Sequence, residues 1–92
     1  MKKRVENTGY EVHLKNTMGQ VIDFNDETEQ MAERFNAYDV NGCYADFGQD
    51  FKQAQDFVDY LESQGYLADL NLVVVYDKPD FTGNTIKLFK IA

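Results

Sequence analysis

The chain has one thiol and one imidazole, Cys43 and His13. Cys43 falls in a loop-like stretch and His13 on the polar side of an alternating segment, so a Cys–His pair would require two separate elements to converge. Read by residue type and position, Cys43 is a small apolar loop residue and His13 an exposed strand histidine. Zinc would need a cluster of Cys and His that one of each cannot supply. The sixteen carboxylates offer so many chance pairings that spacing alone identifies no acid/base couple. No glycine-rich turn joins a strand to a helix, which leaves no cradle for a phosphate. The chain is therefore expected to carry no catalytic residue, no metal and no cofactor.

Calcium needs a direct comparison, because two helical segments joined by about twelve residues have the outline of an EF-hand. With Asp39 at the first loop position, Asn41 falls third, Cys43 fifth and Asp50 twelfth. The chemistry then fails where it is strict. Tyr44 takes the sixth position, where glycine makes the turn; Cys43 is a poor calcium ligand; and Asp50 is shorter than the bidentate Glu. The stretch 39–49 is expected to be a structural connector, its Val40, Tyr44 and Phe47 pinned to the core or forming a contact patch.

Charge is the stronger signal. The net charge is −7, which disfavours binding nucleic acid through its phosphates and suits a basic partner. Residues 21–77 hold thirteen acidic and two basic side chains, a net −11, whereas residues 1–20 and residues 78–92 each carry +2. A single cysteine rules out an internal disulfide. Lys2, Lys3 and Arg4 are followed by no apolar run, and the longest such run, residues 72–76, is far too short for a membrane span. The expected location is cytoplasmic.

These groups have to be placed by the elements that carry them. Residues 50–67 read as an amphipathic helix: Phe51, Ala54, Phe57, Val58 and Leu61 form one stripe, and Lys52, Gln53, Asp56, Asp59 and Glu62 the other side. Asp50 can cap it with Gln53 three residues on, and Gly65 lies where a left-handed residue closes a helix. A first helix is expected over residues 27–38, started by Asp26 with Glu29 and carrying Met31, Phe35 and Tyr38 inward. Tyr10, Val12 and Leu14 alternate with Glu11, His13 and Lys15 as a half-buried strand. Asn16 to Gly19 supplies a turn, and residues 20–24 return as a second strand. Residues 70–76 make an interior strand, apolar on both faces, and residues 85–91 the last one. Residues 1–8 read as a frayed start. Residues 76–85, YDKPDFTGNT, resemble the opening of a βγ-crystallin Greek-key motif. That family repeats such motifs through an all-β domain; here there is one copy beside two helices, and the stretch reads as a hairpin loop with an aromatic anchor.

The fold expected is a single α+β domain over residues 1–92, in two layers. A four-stranded, mainly antiparallel sheet of two hairpins carries two helices on one face, in the order ββααββ. The function expected is that of a non-enzymatic, acidic protein-binding module, a small inhibitor or regulator that docks on a basic, nucleic-acid-binding surface of a target protein. Small acidic accessory proteins of phages and mobile elements offer the analogy. Carboxylates spaced along a helix imitate a row of phosphates and speed encounter with a basic partner. Glu27, Glu29 and Glu33 on the first helix and Asp56, Asp59 and Glu62 on the second would carry the docking charge, with Tyr44, Phe47 and Tyr60 as aromatic anchors. No direct nucleic-acid or membrane contact is expected. The alternative is a structural domain that forms a homodimer through its sheet, its acidic helices merely solvated.

Overall fold

A computed structural model of the chain describes residues 4–77 and 85–90. In chain order it holds β1 (Arg4–Lys15), β2 (Val21–Ile22), α1 (Asp26–Arg34), β3 (Asp39–Asn41), β4 (Tyr44–Asp46), α2 (Phe51–Ser63), β5 (Leu67–Asp77) and β6 (Thr85–Lys90). It is an α+β fold with one antiparallel sheet and two helices. The order is ββαββαββ, not ββααββ, because the segment between the helices forms its own hairpin. Gly42, at φ 62°, is the first of the two residues in its turn, and Asn41 and Tyr44 pair across it. Glycine in that place is what a two-residue hairpin turn requires. The strands line up β3-β4-β1-β5-β6, with β2 paired to the end of β1.

The alternation in β1 works as its sequence suggests. Val12 stands opposite Ala45 on one side and Leu70 on the other, and all three are fully buried. Leu14 pairs with Ala68 and Ile22. Both helices pack on this face. Ala54, Phe57, Val58 and Leu61 of α2 and Met31 and Ala32 of α1 join the same core. Phe57 is its hub, with ring centroids 5.4 Å from Phe47, 5.6 Å from Phe35 and 6.3 Å from Phe24.

The opposite face of β1 is polar but not open. His13 keeps only 12 % of its side chain exposed, so it is not the exposed histidine its alternation implied. Its Nε2 lies 2.9 Å from Glu11 Oε2, and its ring stacks on Tyr44 at 6.2 Å. Beside it, Lys15 forms an ion pair with the buried Asp69.

Both helices are shorter than their sequence patterns, and for the same reason. After α2, Gly65 takes φ 88°, with Tyr66 N–H donating to Leu61 and Gly65 N–H to Glu62. After α1, Asn36 takes φ 65°, with Ala37 N–H donating to Ala32 and Asn36 N–H to Glu33. Each is a Schellman closure. The first helix therefore stops at Arg34, and Tyr38 leaves the core stripe for the surface at 80 % exposure. At α1's start, Asn25 is the cap: it accepts Thr28 N–H at 2.9 Å, and Thr28 Oγ1 accepts Asn25 N–H at 2.9 Å. Asp26 and Glu29, expected to do this work, are left to the outer face.

Asn36 supports a sharp prediction. Asn36→Ala places a Cβ-bearing residue without a local polar group in the left-handed region and should cost about 1 kcal/mol, while Asn36→Gly should be neutral or better. Urea titration of the two variants checks this; equal stabilities would show that the closure does not depend on that backbone conformation.

Residues 4–8, expected to be frayed, instead lie in β1, because they pair from Arg4↔Asp77 to Thr8↔Val74 with β5. The second strand shrinks from residues 20–24 to Val21–Ile22. The central part of the βγ-crystallin-like stretch, 78–84, lies outside the described residues, as does Ile91. Among the described residues no helix is long and apolar enough to cross a membrane.

Candidate functional site

The two helices present their acids differently. On α1, Asp26, Glu29 and Glu33 recur at i, i+3 and i+7 and, with Gln30, line a shallow groove of about 290 Å³. At 100° per residue these four fall within one arc opposite Thr28, Met31 and Ala32, the residues that α1 buries. Glu27 is exposed but lies at the margin of this arc, toward Arg34. Among the described residues none of Asp26, Glu27, Glu29 and Glu33 forms an ion pair. Asp26 and Glu29 lie in the first turn, where the positive end of the helix dipole makes clustered carboxylates tolerable, whereas Glu33 lies in the last turn.

On α2 the charges are engaged at home. Lys52 Nζ lies 3.2 Å from Asp56, one turn on, and Gln55 donates to Asp59 at 3.1 Å. An exposed pair of this kind adds only a few tenths of a kcal/mol to the helix, yet it halves the local charge that a partner meets. Glu62 turns elsewhere: with Lys15, Leu67 and Asp69 it lines a second concavity, of about 300 Å³, at the end of the sheet. Of the six predicted acids, Glu29 and Glu33 line the α1 groove together with Asp26, and Asp56, Asp59 and Glu62 are not among the residues that line it.

The aromatic anchors are also dispersed. Phe47 is 1 % exposed and packs on Phe57, so it is a core residue and not a docking side chain. The cause is the hairpin: Phe47 N–H donates to Tyr10 at 2.9 Å, which ties the end of β4 to β1 and turns the ring under α2. Tyr44 lies on the polar sheet face, stacked on His13, with its hydroxyl 3.2 Å from Asn41 Nδ2. Tyr60 is half-buried on α2, its ring 5.4 Å from Phe35. Neither is part of the α1 groove.

The sequence pattern missed Asp26 and Gln30, both members of the row. The signal was present: Asn25 followed by Thr28 is as good a capping pair as Asp26 followed by Glu29, and choosing it puts Asp26 on the outside. Also missed were Tyr38 and Phe51, assigned to core stripes but 80 % and 42 % exposed.

Among the described residues no group of three or more His, Cys, Asp or Glu side chains could hold a metal ion. Cys43, half-buried in the β3–β4 turn, is a free thiol. No family model matches the chain, and no curated protein or solved structure matches it.

Proposed function

We propose that this protein is a non-enzymatic, acidic protein-binding module that docks the α1 row on a basic surface of a target protein. The single observation that carries this reading is the set of unpaired carboxylates of Asp26, Glu29 and Glu33 along one face of α1, gathered with Gln30 around one groove. Unneutralised charge held on a helix attracts a basic partner at long range and fixes its orientation on arrival. Where the basic surface is one that binds nucleic acid, the row occupies the place of phosphates, and the protein acts as an inhibitor or regulator by competition. Glu27 flanks the row and contributes to its field. Asp56 and Asp59, already engaged by Lys52 and Gln55, contribute less than their exposure suggests.

Affinity capture from the native host, with wild-type protein and an Asp26→Asn/Glu29→Gln/Glu33→Gln variant as baits, tests the reading. A basic protein retained by the wild type and released by moderate salt is expected, with loss of that protein on the variant. Equal recovery on both baits would show that the row does not dock.

A further inference from the structure

The concavity at the end of the sheet is walled by two segments, each locked from within. On one side is the β1–β2 turn, in which the Asn16 carboxamide oxygen accepts the N–H groups of Met18 at 3.0 Å and Gln20 at 2.9 Å. On the other, α2 closes over Gly65, where Tyr66 N–H donates to Leu61 at 3.0 Å. A cleft with fixed walls needs little ordering in order to bind.

Its charge is not balanced. Lys15 is the one cation among the residues that line it, and it is held by Asp69, a carboxylate whose side chain is only 11 % exposed. Glu62 also lines the cleft, and it forms no ion pair among the described residues. It stands in the last turn of α2, which holds no basic residue. There the negative end of the helix dipole adds to its charge instead of offsetting it. A carboxylate that served only to keep the helix soluble would be better placed at the other end.

Beside this charge lies an apolar strip. Val21 and Leu67 stand directly opposite Lys15 on the two neighbouring strands, so all three share one face of the sheet. Both apolar side chains are open, at 45 % and 48 % exposure. An occupant of the cleft therefore needs a cationic head for Glu62 and an apolar stem to lie along Leu67. Lysine and arginine side chains have this form. The guanidinium fits better: its planar fork engages a carboxylate through two parallel hydrogen bonds, and it sheds water more readily than an ammonium does.

We propose that this concavity binds an arginine side chain of a protein partner, with Glu62 accepting from the guanidinium, Leu67 carrying the stem and Lys15 staying on Asp69. That the arginine belongs to the basic target rests on the function proposed above. The cleft is a second contact with that target, built from residues other than those of the α1 groove.

Titration of the isotope-labelled full chain with N-acetyl-arginine amide, followed through backbone amide NMR shifts, tests this without the target. Saturable shifts at Thr17, Gly19, Leu67 and Ala68 are expected, with a dissociation constant on the order of millimolar, as so small a ligand allows. Glu62→Gln, a change at an exposed position that leaves the fold intact, should raise that constant about fivefold or more. N-acetyl-lysine amide should bind more weakly, and the Asp26→Asn/Glu29→Gln/Glu33→Gln variant should titrate like the wild type. Shifts that never saturate, that fall equally on the α1 groove, or that Glu62→Gln leaves unchanged overturn the proposal. Equal binding of the lysine amide overturns the assignment to a guanidinium. Because no target enters the titration, its failure leaves the α1 row standing, and a row that captures no target leaves the titration result standing.

Discussion

Phe57→Ala is expected to destabilise the protein by about 3–5 kcal/mol, the largest loss for any single truncation in the core. The ring is fully buried and touches Phe24, Phe35 and Phe47, which come from the segment before α1, the end of α1 and the end of β4. Removing it leaves a cavity that three separate segments would have to collapse into, and each is fixed by its own backbone bonds. A small domain holds only about 5–15 kcal/mol in total, so the variant should unfold partly at ambient temperature. Urea titration gives the loss directly, and Phe57→Leu, which keeps most of the volume, should lose much less. A loss below about 1 kcal/mol for Phe57→Ala would mean that the helices are not held to the sheet through this residue.

The legible parts of the fold were those whose signals are local and redundant. In α2, the apolar stripe, the Asp50 cap and Gly65 agree, and all three are found in place: Asp50 accepts Gln53 N–H at 3.1 Å and Gly65 adopts φ 88°. The first helix was overextended because Met31, Phe35 and Tyr38 keep helical spacing through a point where the backbone has already turned. Only Asn36, able to adopt a left-handed conformation without glycine, marks the stop. The β3–β4 hairpin was hidden for a different reason. Its strands are three residues each, too short for a period to declare itself, and they are held by pairing with β1, which no local pattern encodes.

The candidate site was legible in composition and not in arrangement. Acid clustering in the middle of the chain is a property of residue counts. Which acids share a surface depended on the cap residue of α1 and on the Lys52–Asp56 and Gln55–Asp59 contacts of α2. Tyr44 and Phe47, three residues apart, go to opposite faces of the sheet. The pleat gives consecutive residues to alternate sides, and Phe47, past the end of β4, follows the side of Ala45.

The second large effect is on binding, and it separates the two helices. Neutralising Asp26, Glu29 and Glu33 together removes three charges that have no internal partner, so nothing in the protein compensates for them. The loss of affinity for a basic target should be on the order of tenfold to a hundredfold at low salt, and most of it should vanish at high salt. Neutralising Asp56 and Asp59 removes one charge already paired with Lys52 and one carboxylate that accepts from the neutral Gln55 amide, and leaves Lys52 as a free cation. Its effect should be about twofold or less at the same ionic strength. Neither change touches a core residue, so both variants should keep the unfolding free energy of the wild type to within about 0.5 kcal/mol.

Calorimetric titration of the captured basic target with wild type, Asp26→Asn/Glu29→Gln/Glu33→Gln and Asp56→Asn/Asp59→Asn, at low and at moderate salt, tests the central claim most directly. A tenfold or greater loss confined to the α1 variant, shrinking as salt rises, is the result predicted. Equal affinities for all three proteins, or a loss confined to the α2 variant, would contradict it.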